Sequence, residues 1–307
     1  MTIPFAILPI YKAATRIYYG STILALLIWS TSFIATKAAY ISFPPLTLGL
    51  SRFIIASIVL GIVLLIKKEY VKVKPKDLAT ISFSGVLGIT LYFSMENIGV
   101  SLTTASNAAL IVASYPAITS LLELILYKVR ISKYKICGIA LAMIGVYFLT
   151  SVNEGSGGKN QLIGNLILIG TGFAWAFYTF MTRKVVDKYP PVTLSFYQTV
   201  AGSIFFIPLA LLEKDSWQAP TTASLTLLIY LGVFCSVIAF LLYNYGLIKL
   251  SPSSSVSLMN LVPIFGVLFS VLLLQETITW RQIIGGMVVI IGVLLSAHQI
   301  NSKQKEQ

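Results

Sequence analysis

The feature that most constrains this chain is a succession of apolar stretches, each close to the length of a membrane-crossing helix. They lie at 18–38, 46–66, 78–99, 104–127, 134–151, 162–182, 192–212, 223–247, 252–274 and 280–297, with short connections between them. A helix needs ~20 apolar residues to cross the hydrocarbon core of a bilayer. The spacing therefore predicts an all-α integral membrane protein of ten transmembrane helices, with the lipid bilayer as its first partner. Only 10% of the residues are charged, against ~25% in soluble chains. Polar residues to cover a water-facing surface are missing.

Several chemistries are excluded at once. The chain carries 22 Lys and Arg against 10 Asp and Glu, but no basic patch interleaved with aromatics outside the apolar runs, so no nucleic-acid partner is expected. His298 and the separated Cys137 and Cys235 make no metal constellation. No GxxxxGK[ST] occurs and no connection is long enough for a nucleotide-binding domain, so ATP hydrolysis on this chain is ruled out. No cofactor is called for. The opening segment, with Lys12 and Arg16 after a short apolar stretch broken by Pro4 and Pro9, does not read as a signal peptide.

The basic residues set an orientation. Place both termini in the cytoplasm, and all 22 Lys and Arg fall on the inner side except Lys37, Lys159, Lys214, Arg281 and the intramembrane Arg52. This is the positive-inside bias, and it requires an even number of spans. The expected location is the cytoplasmic membrane.

The chain also repeats itself. At an offset of 146, Trp29 meets Trp175, Pro44-Pro45 meets Pro190-Pro191 and Ser57 meets Ser203. At 147, Phe93 meets Phe240, Asn97 meets Asn244, Pro116 meets Pro263 and Gly145 meets Gly292. Chance does not align Trp, Pro-Pro and Asn in one register. Each copy holds five spans, an odd number, so the second must enter the membrane from the opposite side. The expected organisation is a cytoplasmic tail at 1–17, a five-helix repeat at 18–151, an extracytoplasmic linker at 152–161, an inverted five-helix repeat at 162–298 and a cytoplasmic tail at 299–307. Inverted repeats mark alternating-access transporters, with the substrate site at the repeat interface.

Ionisable groups inside spans are functional candidates by default. Arg52, Glu96 and Lys37 fall at one level, where an Arg52–Glu96 pair joined by Lys37 would serve either as a structural tie or in coupling. Glu96 is the one carboxylate placed near the cavity, so transport is expected to be uncoupled or proton-coupled. Glu123 lies one turn from the inner surface and is read as snorkelling. Tyr92, Glu96 and Tyr243 share the face of the third and eighth spans that small residues open, with Asn97 and Asn244 beside it. Trp29 and Ser32 share a face of the first span, and Trp175 and Tyr178 the matching face of the sixth. Both tryptophans sit mid-span, where cavity lining competes with plain core packing and an interfacial belt is misplaced. Pro116 and Pro263 interrupt matching spans, preceded by Asn107 and Tyr115 in one and Asn260 in the other; a substrate site competes there with a packing kink. Gly138, Gly145, Gly285 and Gly292 read as helix packing, within the bundle or between two copies of the chain.

The run IWSTSFIATKAAYISFPPLTLGLSRFIIA, Ile28 to Ala56, resembles the opening of EamA-type proteins of the drug/metabolite transporter superfamily. The shared positions are Trp29, Ser32-Phe33, Lys37, Pro45, Arg52-Phe53 and Ala56. The stretch from Ala105 through Pro116 to Gly145-Val146 resembles that family's fourth and fifth spans. The second copy carries QETIT…GG, Gln275 to Gly286, close to the family's GE-hydrophobic-T…G junction. The first copy reads Tyr127-Lys128-Val129-Arg130 where the family has a glutamate, so only Glu276 fits. The resemblance implies a ten-helix carrier that exports amino acids, purines or drug-like metabolites. The combined reading is a secondary transporter with alternating access, exporting amino acids or related metabolites. A channel or a lipid translocator is the alternative. An integral membrane enzyme is the less favoured alternative, for want of positioned catalytic groups.

Overall fold

A computed structural model describes residues 8–68, 71–127, 133–150, 158–250, 255–256, 258–259 and 261–297. The chain runs through helices α1 (Leu8–Ala39), α2 (Pro45–Lys67), α3 (Pro75–Leu102), α4 (Ala105–Leu126), α5 (Lys133–Thr150), α6 (Gly158–Arg183), α7 (Pro191–Leu211), α8 (Thr222–Leu247), α9 (Leu261–Leu274) and α10 (Trp280–Ala297). Local chemistry places their ends. Pro45, Pro75 and Pro191 open helices at the one position where a missing N–H costs nothing. The Thr104 and Thr221 hydroxyls accept the orphan N–H groups of Asn107 and Ser224 in the first turns of α4 and α8. Lys68, left-handed at φ 51°, ends α2.

Among the described residues, seven helices are long and apolar enough to cross a membrane: α1 to α4 and α6 to α8. Within α5, α9 and α10 the described apolar stretches are shorter, Ile136–Gly145, Leu261–Leu274 and Trp280–Gly292. Helix α2 shows how the bundle divides core from lipid. Phe53, Ala56, Leu60 and Leu64 are buried, while Ile54, Ile58, Ile62 and Leu65 on the opposite side are exposed. That outer stripe would be an aggregation surface in water and is at ease in hydrocarbon.

Three helices depart from regularity. Helix α3 is π-helical over Val86–Leu91 and α8 over Leu231–Ile238. Helix α4 breaks between Val112 and Tyr115, where the Ala113 and Ser114 N–H groups close tight turns onto Leu110 and Ile111. Pro116 stands just beyond, unable to donate to the Val112 carbonyl. Pro263 sits in the first turn of α9. Asn260, with Ser254 and Ser257, lies outside the described residues.

Glycines set how close the helices come. Helix α5 lies along α10 with Gly145 against Val289 and Gly285, and Gly292 against Ala142 and Gly138. The small-residue stripes of these two helices are thus used inside the chain. A Cβ at Gly292 would stand 2.5 Å from the Ala142 nitrogen and 2.6 Å from the Gly138 oxygen. Both neighbours are backbone and cannot rotate away. Gly292→Ala is therefore expected to lower stability by about 1–3 kcal/mol, read as thermal unfolding in detergent. Gly20→Ala, where nothing lies within 4 Å, should leave it unchanged or higher.

Candidate functional site

The middle of the bundle is aromatic. The Trp29 and Trp175 rings meet edge to face at 5.4 Å. Tyr243 lies 5.3 Å from Trp29 and 5.4 Å from Trp175, Tyr92 lies 5.2 Å from Trp175, and Phe240 closes on Trp29 at 5.2 Å. Such contacts contribute ~0.5–1.5 kcal/mol each beyond area burial. Trp29, Ser32, Phe33, Tyr92, Phe93, Glu96, Val112, Trp175, Met259 and Val262 enclose a void of about 20 Å³, room for roughly one water. Helices α1, α3, α4, α6 and α9 all contribute to its wall. Any metabolite that enters must push rings apart.

Of the residues singled out from sequence, Trp29, Ser32, Tyr92, Glu96 and Trp175 line this void. Tyr115 and Tyr178 pack behind it. The Tyr115 hydroxyl pairs with Thr171, and its ring lies 6.4 Å from that of Tyr92. Tyr178 seats its ring on Gly88 and donates to Asn244 Oδ1 at 3.0 Å. The asparagines are not on the wall and make their bonds elsewhere. Asn97 donates to the Phe93 carbonyl at 2.7 Å and accepts from Tyr40 at 3.2 Å. Asn244 donates to Ser195 and Gln198 at 3.1 and 3.4 Å. Asn107 donates to Thr103 at 3.1 Å and accepts from Gln282 at 2.5 Å. Each amide ties its helix to neighbouring chain segments.

The charged candidates are also distributed otherwise than expected. Among the described residues no ion pair joins Arg52 to Glu96. Arg52 is 1% exposed and donates from Nε to Ser236 at 2.8 Å. Its guanidinium stands 4.8 Å from the Phe93 ring centre, and Nη2 has no hydrogen-bond partner. Glu96 is 5% exposed and accepts from the Tyr92 hydroxyl at 3.0 Å. Lys37 joins neither; it donates to the Val100 and Thr103 carbonyls at 2.9 and 2.5 Å. There it neutralises the negative end of α3.

Two carboxylates, Glu276 of the family-like junction and Glu213, which sequence reasoning passed over, fasten one end of the bundle. Glu213, after α7, accepts from the Leu46 and Thr47 N–H groups at 3.0 and 2.7 Å and from the Thr47 hydroxyl at 2.9 Å. Glu276, after α9, accepts from the Ala105 and Ser106 N–H groups at 2.8 and 2.9 Å and from the Ser106 hydroxyl at 2.5 Å. Each is an anion on the positive N-terminus of a helix that starts far away in the chain. The family-like junction at Gln275 explained only half of this. Gln275 itself is left-handed at φ 55°, a conformation that costs a residue with a side chain about 1–2 kcal/mol. This is the physical reason for glycine in the GE pattern. Gln275→Gly should therefore raise the unfolding temperature, by about 1 kcal/mol in stability. Glu276→Ala should lower stability by about 1–2 kcal/mol through loss of the cap. Thermal unfolding of the purified variants checks both.

The model of the EamA-like transporter family matches residues 16–151 and again residues 162–297. An "uncharacterized transporter" of Archaeoglobus fulgidus is 30% identical over 277 residues, covering 89% of this chain and 94% of its own. An "uncharacterized transporter YetK" of Bacillus subtilis is 27% identical over 293 residues, covering 94% and 88%. A "probable terminal-alkyne amino-acid exporter" of Streptantibioticus cattleyicolor is 24% identical over 287 residues, covering 92% and 94%. A protein crystal structure with 18% sequence identity superimposes with a TM-score of 0.66 over 93% of this chain and 98% of that one, a likeness of fold. Among the described residues no group of three or more His, Cys, Asp or Glu could hold a metal ion. Matched by that family's model over nearly its whole length, the chain belongs to the EamA-like transporter family, a multi-pass inner-membrane protein whose work is secondary transport and not catalysis.

Proposed function

We propose that this chain is an alternating-access exporter of amino acids or related small metabolites, built from two inverted five-helix repeats with both termini in the cytoplasm. The observation that carries the reading is the reciprocity of contacts between residues 146 or 147 apart. Gly85 packs on the Gln198 carbonyl, and its counterpart Gly232 packs on the Arg52 carbonyl. Gly145 meets Val289 and Gly285 while Gly292 meets Ala142 and Gly138, which is the same contact with the partners exchanged. Ser57 pairs with Ser203 at 3.4 Å, Trp29 with Trp175 at 5.4 Å and Phe93 with Phe240 at 6.2 Å. Exchange of partners and self-pairing of equivalent positions are what a two-fold relation produces. The π-helical segments of α3 and α8 fall at matching places, as do the two stretches matched by the family model.

The substrate class follows from the wall of the void and from one relative. Aromatic faces and a single carboxylate suit a small organic ammonium, and the Streptantibioticus relative is named as an amino-acid exporter. The near-filled centre favours a carrier over an open channel. Alternation needs the fastened end to release, and the Glu213 and Glu276 contacts are the bonds that must break there.

Two experiments test this. In a Cys137→Ser background, a cysteine at Ser216 should react with an impermeant thiol reagent from outside intact cells, and one at Lys72 should not; labelling at Lys72 reverses the orientation. Purified protein in liposomes should show saturable counterflow with at least one member of a panel of amino acids, purines and cationic drugs. Flux that neither saturates nor exchanges would make it a channel.

A further inference from the structure

A second cavity lies on the lipid side of the bundle and takes no part in the transport reading. It is a groove of about 200 Å³, against about 20 Å³ for the central void, walled by Leu110 of α4, Pro263 and Val267 of α9, and Ile283, Met287 and Ile290 of α10. Of the described residues that line it only Gln282 is polar, and its amide is bonded to Asn107 at 2.5 Å and to the Thr279 N–H at 2.7 Å. A polar solute would lose its water there and gain little in return. A hydrocarbon chain has no hydrogen bonds to lose. The dimensions fit one leaflet. From Gln282 to Ile290 the groove follows α10 for about 12 Å, at ~1.5 Å per residue. Half of the ~30 Å hydrocarbon core is about 15 Å. Trp280, 78% exposed, stands at the same end of α10 as Gln282, as an aromatic anchor at headgroup level does. Arg281, between them, is exposed and makes no hydrogen bond or ion pair among the described residues. A cation therefore stands at headgroup level, and an apolar slot leads from it into the depth of the bilayer.

We propose that this groove binds one acidic phospholipid, with an acyl chain laid between α9 and α10 and the headgroup phosphate on Arg281. An empty slot forfeits van der Waals contact for the side chains around it, and in a bilayer the surroundings supply chains to fill it. The guanidinium fork matches a phosphate in shape and charge. A zwitterionic lipid fills the slot equally well but brings its own cation to compete for that phosphate. Occupancy therefore belongs to the groove, and headgroup selectivity to Arg281. The site also touches the centre of the bundle. Leu110 and Pro263 line the groove, while Val112 and Val262, close by in sequence, line the central void. This shared wall is where α4 breaks after Val112. A bound chain backs the wall from the lipid side.

The test uses the purified full-length chain in detergent, stripped of lipid and then titrated with dioleoylphosphatidylglycerol or dioleoylphosphatidylcholine. Native mass spectrometry counts the bound lipid. A phosphatidylglycerol with a diazirine on its acyl chain maps the contact after photolysis. One phosphatidylglycerol should be retained per chain, about fivefold more tightly than phosphatidylcholine, the worth of one Arg facing an anionic headgroup. Crosslinks should concentrate at Val267, Ile283 and Met287. Ile283→Trp fills the slot and should abolish retention of both lipids. Ile291→Trp, on the same helix and 51% exposed but outside the groove, should change nothing. Arg281→Gln should lower phosphatidylglycerol to the phosphatidylcholine level, and Arg281→Lys should restore most of the preference. Crosslinks spread evenly over the lipid-facing side overturn the proposal and leave ordinary boundary lipid. So does unchanged retention in both Ile283→Trp and Arg281→Gln. In a Cys137→Ser background, a disulfide between two copies through a cysteine placed at Met287, with no lipid retained, makes the groove a contact between chains and overturns it too. None of these measurements reads flux, so their outcome is separate from that of the counterflow experiment.

Discussion

Hydrocarbon offers no hydrogen bonds, so every polar group that this chain carries into its helices must be answered by another part of the chain. The rest of the architecture depends on that constraint. Gln198 is held between Ser84, Thr182 and Asn244. Asn107 is held between Thr103 and Gln282, and Thr103 in turn donates to Asn165 at 2.7 Å. Each network joins helices from distant parts of the sequence. Greasy surface cannot fix register between helices when lipid is as apolar as leucine; these few directional bonds and the glycine contacts do it instead. Incomplete places such as Arg52, Thr119 and Ser255 stand out because completeness is otherwise the rule.

Much of this was legible in the residues. Run length alone marked the helices, since one turn rises a fixed distance and the bilayer has a fixed thickness. The tryptophans were found because an aromatic belt belongs at the headgroups, and residues at mid-span must do something else. The pattern of small residues at Gly85, Gly145 and Gly292 foretold close helix approach, and each is filled against backbone. The asparagines were harder. Asn97 and Asn244 announce polarity in an apolar helix, but a sequence does not show who the partner is. The partners are Tyr40 and Tyr178, on other segments of the chain. Arg52 and Glu96 share a level, yet a common depth does not fix the direction in which side chains point around the helix. Glu213 and Glu276 carried no local signal as caps, because the helices that they cap begin well over a hundred residues earlier.

Near-symmetry explains why the void is both central and small. Residues that correspond to each other lie closest where the two halves meet, and large residues such as Trp29 and Trp175 meet there at 5.4 Å. A perfectly matched pair of halves would give such a centre identical poles. Glu96 and its counterpart Tyr243 break that match, the one a carboxylate on the wall of the void and the other a buried tyrosine off it. Little else in the core needed to change, because Trp29, Phe93 and their counterparts keep the packing on both sides.

The carboxylate caps also have a consequence for how the chain is made. The start of α2 receives its cap from a residue 167 positions further on, and the start of α4 from one 171 positions further on. At ~5–20 residues per second, a ribosome takes about 10–30 s to make that much chain. During this interval both helices sit in the bilayer with their first N–H groups lacking those carboxylate partners. The first half of the protein therefore completes its own helix ends only when the second half emerges, and biosynthetic order makes the later half a folding partner of the earlier one.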